Sequence, residues 1–263
     1  MKTINRFFKV LVSTNLITFF SLIRGLPFVY KDYKILKKQK GKDSNFVFGK
    51  FKIFTSDKSS SSGTMSGHYF HQDMLVARKI YQNNPQKHVD IGSRQDGFIA
   101  HVAVFREIEL LDIRPPQSNG VKNISFKQAD LTQPSFQLIN YCDSISSLHA
   151  IEHFGLGRYN DPVDYFGYIK ALDNINKMLQ PSGIFYFSVP IGTQRIEFNA
   201  HRVFSVSYLF NLFKNRYMYD IVSFSYVDDF GILFENICLD EKSINNNYNC
   251  NWGCGIFELK KTL

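Results

Sequence analysis

His88-Val89-Asp90-Ile91-Gly92-Ser93-Arg94-Gln95-Asp96-Gly97-Phe98 is the stretch on which the reading of the chain turns. A short apolar run ends in an acid and a glycine, and residues 98–105 then resume with helical spacing, which reads as strand, turn, helix. The same alternation continues outward. Residues 109–113, 124–126, 141–148 and 184–189 read as further strands, and 221–227 and 255–259 as two late ones. Residues 69–81, 162–179 and 207–213 have helical spacing between them. Strands alternating with helices imply an α/β fold, a mainly parallel sheet with helices on both faces.

In such a sheet, ligands bind in the crevice beyond the carboxyl ends of the strands, so the residues just after each strand carry the functional signal. After the first strand, Gly92 lets backbone N–H groups approach a ligand at a helix N-terminus. The turn is not a P-loop, because Phe98-Ile99 stand where Lys-Ser/Thr is required, and it lacks the dinucleotide G-x-G-x-x-G, because Arg94 replaces the second glycine. A sugar-nucleotide enzyme using a nicotinamide cofactor would need that missing fingerprint. Asp112 ends the second strand, spaced to accept hydrogen bonds from ribose hydroxyls. Asp130, with Leu131, follows the third strand and suits an adenine edge. Three acids, Asp90, Asp112 and Asp130, thus close three successive strands, which points to a nucleoside site. Ordinary turn and capping acids are the alternative.

His149-Ala150-Ile151-Glu152-His153 matches the H-x-x-E-H pattern of inverted zinc proteases. It runs straight into Phe154-Gly155-Leu156-Gly157, which permits barely one helical turn, so no metal is expected there. Cys250 and Cys254 have no second cysteine pair, and a zinc knuckle is not expected either. Past the fifth strand, Arg195, Glu197, Asn199, His201 and Arg202 crowd into eight positions. His201 has the pKa range of a general base, with Glu152 and His153 as alternatives. Arg195 and Arg202 suit an anionic group of a substrate, with Glu197 and Asn199 beside them. A solvated loop is the alternative.

Composition bounds the rest. A chain of 263 residues, 44% hydrophobic and 21% charged, with 26 Phe and 14 Tyr, builds a sizeable core and is not disordered. Four cysteines are too few for a disulfide scaffold, and a reducing, cytoplasmic home follows. Residues 1–42 hold ten Lys/Arg against Asp32 alone, whereas the remainder is close to neutral. A nucleic-acid-binding face over the whole protein is therefore excluded, and no nucleic-acid partner is expected.

The basic arm contains an apolar stretch, residues 10–23, which is short of the roughly 20 residues needed to span a bilayer. Phe8, Val12, Leu16, Phe19, Ile23 and Leu26 recur at helical steps, and a polybasic run follows from Lys31 to Lys40. That combination suits peripheral attachment to an anionic membrane surface on the inner face. Packing of the helix on the body is the alternative. Residues 43–67, with four serines at 59–62, read as a linker or loop before a body at 68–263.

The segments around His88–Arg94, Leu111-Asp112-Ile113-Arg114-Pro115, Phe126–Leu131, Ser147-Leu148-His149-Ala150-Ile151-Glu152-His153-Phe154-Gly155-Leu156-Gly157-Arg158-Tyr159 and Phe187–Gly192 resemble domain-of-unknown-function family 268. That family is similar to class I S-adenosylmethionine-dependent methyltransferases, and its members often accompany bacterial surface-polysaccharide biosynthesis. The resemblance implies a Rossmann-like, seven-stranded sheet closed by a C-terminal antiparallel hairpin. It implies S-adenosylmethionine as cofactor, with the turn that holds Asp90, Gly92, Ser93 and Gly97 around the methionine part, Asp112 on the ribose, and Asp130 and Leu131 near the adenine. It also implies a sugar-containing acceptor, a small molecule or a lipid-linked glycan. A non-catalytic module of a glycan-assembly complex is the other reading of the same resemblance.

Overall fold

The computed structural model describes residues 24–43, 45–55, 57–116, 120–134 and 136–262. The chain divides into two compact units, residues 1–64 and 65–263. In the first unit, residues 24–40 form helix α1. The apolar stretch of residues 10–23, expected to be helical, lies outside the described residues. No described helix is long and apolar enough to cross a membrane.

The second unit is built on β1 (His88–Ile91), β2 (Ile108–Asp112), β3 (Ile124–Gln128), β4 (Cys142–Leu148), β5 (Leu179–Ile191), β8 (Tyr219–Val227), β9 (Leu233–Phe234) and β10 (Gly253–Lys261), in the spatial order β3-β2-β1-β4-β5-β10-β8-β9. The first five strands pair in parallel. β10 runs antiparallel between β5 and β8, with Phe257 opposite Phe187 and Phe224. The seven strands implied by the resemblance are all present, and the two-residue β9 adds an eighth at the edge, where Phe234 stacks on Tyr226. β8 and β10 pair as implied, but about 25 residues separate them, including β9 and the short helix α6 (Glu241–Asn245). A second, two-stranded sheet joins β6 (Arg195–Glu197) to β7 (His201–Val203).

The period-two alternation of the strands sorts the core into two layers. Val89, Ile91, Ile145, Phe185, Phe187, Phe257 and Leu259 pack on α4 (Gly167–Met178) and α5 (Val206–Asn211). Leu110, Leu148, Tyr186 and Ile256 face the opposite way, against α2 (His68–Asn83) and the short α3 (Ala100–Ala103). α2 buries Gln72, Asp73, Leu75, Val76, Ala77 and Ile80, one stripe at helical spacing, and Asn84 closes it in the left-handed region before Pro85.

Two departures from the expected elements have local causes. α4 starts at Gly167 rather than near residue 162, because the preceding loop presses Gly155 against Asp164 and Gly167. A side chain at Gly155 (φ 77°) would place its Cβ 1.9 Å from the Asp164 carbonyl. β5 starts earlier than 184 because Leu179 pairs with Cys142, after which residues 180–183 loop out before pairing resumes at Ile184 opposite Ser144.

The α2 face of the sheet carries buried polar groups in a connected set. Ser146 Oγ donates to Asp90 Oδ2 (2.5 Å), so the His88 Nε2–H donates to Ser146 (3.0 Å) and His88 Nδ1 accepts from Ser144 (2.7 Å). Burial lowers the His88 pKa to about 3, which keeps it neutral as that chain of donors requires.

Candidate active site

The carboxyl ends of β1, β2, β3 and β4 open on a cavity of about 470 Å³, within the size range of small-molecule sites. Its floor is apolar: Ile91, Leu111, Leu131, Leu148 and Pro190. One wall carries Gly92, Asp112 and Asp130, and the other carries His149, Glu152, His153 and His201.

The first wall is shaped by the turn after β1. Gly92 takes φ 72° and donates its N–H to Leu111 O (3.0 Å), and a Cβ added there would come within 3.2 Å of the Ala150 Cβ. Asp90 is fully buried beneath the turn, accepting from Ser93 N (2.9 Å), Ser93 Oγ (2.8 Å) and Ser146 Oγ. Burial pushes its carboxyl up to about 7 against those hydrogen bonds. Ser93 Oγ also accepts from Leu148 N (3.2 Å), tying the turn to β4. Asp90, Ser93 and Gly97, expected as cofactor contacts, build the turn from behind and are not among the residues that line the cavity. Gly97 packs on α2, where a Cβ would stand 2.8 Å from Asp73 Oδ2.

Asp112 and Asp130 do reach the cavity, as does Leu131. Asp130 accepts from Thr132 N (2.9 Å), Thr132 Oγ1 (2.7 Å) and Gln133 Nε2 (2.8 Å). Burial alone would raise its carboxyl, but these donors hold it below its usual value. Asp112 is gripped by Arg114: the backbone N (2.8 Å) and Nε (3.1 Å) reach Oδ1, and Nη2 reaches Oδ2 (2.7 Å). The Arg114 guanidinium lies 4.3 Å over the Tyr159 ring.

The second wall turns on Glu152, which is 1% exposed. Its Oε1 takes a hydrogen bond from His149 Nδ1 (2.8 Å) and stands 3.7 Å from His153 Nε2. Burial would raise the Glu152 carboxyl, yet the two histidines hold it below its usual value. Burial also works against charge on His149, but the Cys254 sulfur and Glu152 beside it prevail and carry its pKa well above the usual one. His149 sits at the end of β4 with φ 50°, a conformation costing a non-glycine residue about 1 kcal/mol or more.

His153 Nδ1 donates to the Ala200 carbonyl (2.7 Å), which leaves Nε2 carrying the lone pair. Burial lowers its pKa despite Glu152, so it is a neutral imidazole at neutral pH. His201 Nε2 is instead occupied, accepting from Trp252 Nε1 (3.1 Å). Both histidines line the cavity, His153 with Nε2 unprotonated and His201 with Nε2 taken by the indole.

The remaining expected contacts do not come to the cavity. The β6–β7 hairpin turns Arg195 onto Glu197 (2.9 Å), Thr193 O (3.0 Å) and Asn251 O (3.1 Å), and Asn199 is a turn residue with φ 60°. Arg202 is buried and donates to Phe154 O (2.6 Å), Tyr165 O (3.1 Å) and Glu152 O (3.4 Å). Its fork braces the loop that carries Glu152 and His153. Tyr69, Arg114, Tyr159 and Trp252 line the cavity without a signal that the sequence reading used, and Arg94, which stands in place of the second glycine of the turn, lines it too. Trp252 is the chain's single tryptophan, a signal the sequence did contain.

A mainly parallel sheet ending in β5-β10-β8 antiparallel pairing, with its cavity beyond β1, β2 and β4, is the class I methyltransferase fold. Burkholderia thailandensis 1,6-didemethyltoxoflavin-N1-methyltransferase, solved with 1,6-didemethyltoxoflavin and S-adenosylhomocysteine bound, is similar to this chain with a TM-score of 0.50 and 12% identity, over 73% of this chain and 79% of that one. A chain assigned as a methyltransferase, in complex with the Haloferax volcanii Trm112 activator, is similar with a TM-score of 0.51 and 13% identity, over 74% and 90%. At these identities the likeness is one of fold. The chain itself belongs to the family described as "Caenorhabditis protein of unknown function, DUF268", whose model matches residues 85–249. No curated protein matches the sequence.

Proposed function

We propose that the protein transfers a methyl group from S-adenosylmethionine to a sugar-containing acceptor. The observation that carries this reading is the pairing, across one cavity, of a glycine turn and two strand-end carboxylates with a neutral histidine whose lone pair is free. The residues fit the cofactor. Gly92 has no side chain to block the turn, Asp112 and Asp130 supply acceptors for ribose and adenine, and Leu111 and Leu131 offer apolar cover for a base. When bound, S-adenosylmethionine supplies an already activated methyl group, so alignment and removal of one proton are what remain for the protein.

His153 takes that proton on Nε2. Ala200 O fixes its tautomer, and Glu152 stands where the imidazolium that forms is stabilised. Tyr69, Tyr159 and Trp252 give the cavity aromatic faces, a surface suited to the apolar face of a sugar ring. For the arm, exposed Leu26, Tyr30, Ile35 and Leu36 among the lysines of α1, and exposed Phe46, Phe51 and Phe54 after it, support attachment to an anionic membrane surface.

One observation favours a second reading, a non-catalytic module of a glycan-assembly complex. Three of the roughly four acceptor sites of the Asp112 carboxylate are already taken by Arg114. Incubation with methyl-labelled S-adenosylmethionine and lipid-linked glycan extract separates the two. Label transferred by the native chain and lost in His153→Gln supports catalysis, whereas cofactor binding with no transfer to any extract supports the module.

A further inference from the structure

We infer that His68, His149 and Cys254 form a metal site for zinc or a similar thiolate-binding transition metal. One ring nitrogen from each histidine and the Cys254 Sγ lie within 4.8 Å of one another. They come from the first residue of α2, the residue after β4, and β10, so the sheet and the helix on its face bring them together. Two imidazoles and a thiolate are a ligand set that selects zinc over magnesium or calcium. In a tetrahedral zinc site such atoms lie about 3.3–3.6 Å apart, so metal binding draws the three ligand atoms about 1 Å closer together.

The groups around the three ligands point the same way. His149 Nδ1 is engaged by Glu152 Oε1 (2.8 Å), which leaves His149 Nε2 buried without a hydrogen-bond partner. A buried imidazole nitrogen is rarely left in that state, and a carboxylate holding the other nitrogen is the usual outer partner of a metal-bound histidine. Glu152 Oε2 is also buried and unpartnered. The His68 and His149 rings lie parallel, 5.3 Å apart, so one ring turns about its Cβ–Cγ bond for both in-plane lone pairs to meet on one ion. A divalent ion that displaces the His149 proton and binds the Cys254 thiolate, with the Glu152 carboxylate behind His149, makes a set with no net charge, which a buried site favours.

His68 and His149 line the cavity whereas Cys254 stands behind them. The remaining position of a four-coordinate ion then belongs to the cavity side, open to water or to a heteroatom of a bound molecule. This is a different ligand set from the H-x-x-E-H pattern in the sequence. His153 is not a ligand, and Glu152 orients His149 rather than binding the ion. The site needs no methyl-transfer activity, and its test reads metal alone.

Tag-free full chain, reconstituted with zinc and desalted, is assayed for metal by mass spectrometry, and its cobalt form by absorption spectroscopy. The inference expects about one zinc per chain, and a thiolate-to-cobalt charge-transfer band with intense tetrahedral ligand-field bands. His68→Ala and Cys254→Ser each abolish both signals, Glu152→Gln weakens affinity about 10–100-fold, and His101→Ala, on α3 and not among the ligands, keeps full occupancy. Native chain that is folded by circular dichroism but holds under a tenth of an equivalent overturns the inference. So does a cobalt spectrum without the thiolate band, or binding unchanged by both ligand substitutions. Because the first two readouts use the native chain, a ligand variant that fails to fold does not shield the inference.

Discussion

His153 and His201 lie with ring centroids 6.4 Å apart, and hydrogen bonding alone separates their roles. The Ala200 carbonyl leaves His153 Nε2 free, while the Trp252 indole occupies His201 Nε2. In the methyl-transfer reading, His153→Gln therefore lowers kcat about 10²–10⁴-fold, whereas His201→Ala falls mainly on KM, as steady-state kinetics on the same acceptor would measure. Asp90 gives a prediction for stability. Its folded pKa of about 7 lies above the usual carboxylate value, so the folded state binds the extra proton and the unfolded state has already lost it. The contribution of this group then falls as pH rises from about 4 to 7, by at most about 1.4 kcal/mol per pH unit, and is fully lost above 7. Urea unfolding of Asp90→Asn across pH 5–8 should show a flatter profile than the native chain, and an unchanged slope would refute the assignment. At this scale the sequence was partly legible. Asp112 and Asp130 announce themselves by following strands, but that Asp90 points under the turn depends on which face of β1 it occupies. Arg114, two residues beyond Asp112, could be suspected of pairing with it, while the bond between His201 and Trp252 spans chain segments that only the fold brings together.

The hairpin of β6 and β7 is the element on which sequence reasoning went furthest astray. Five polar residues in eight positions looked like a binding loop, yet strand alternation and local pairing turn all but His201 away from the cavity. Arg202 is the informative case, because arginine is rarely buried unless its donors are satisfied, and here three backbone carbonyls satisfy them. Arg202→Ala should cost about 2–4 kcal/mol in denaturant unfolding, by leaving buried carbonyls unpaired and loosening the loop of Glu152 and His153. Little loss of stability, with KM for an anionic acceptor raised instead, would restore a substrate role. The strands were more legible than the helices. β-prone residues alternate clearly in β1, β2, β5 and β8, whereas the start of α4 depends on the contact of Gly155 with Asp164, which no local pattern encodes. β10 illustrates a further limit: its sequence reads as a strand, but its place between β5 and β8 sets Cys254 beside His149, and no spacing in the chain foretells that neighbour.

Over the whole molecule, charge and cavity fall in different stretches of the sequence. Residues 1–42 carry more positive charge than the whole chain's net, the remainder being slightly acidic, and the unit of residues 65–263 carries the cavity. Each exposed lysine near an anionic surface contributes about 1 kcal/mol, so the arm should bind anionic vesicles in a salt-sensitive way. Vesicle sedimentation of the full chain and of a chain lacking residues 1–42 tests this, with binding lost on deletion as the expected result and equal binding as the contrary one. The account as a whole depends on the cavity beyond β1–β4 accepting an adenosine-bearing donor. Calorimetric titration of the full chain with S-adenosylmethionine measures that most directly. One saturable site per chain is expected, weakened about 10–100-fold in Asp112→Ala, which loses the ribose acceptor, and tightened in Arg114→Ala, which frees it. Absence of any saturable heat from the native chain, with S-adenosylhomocysteine equally silent, would contradict it.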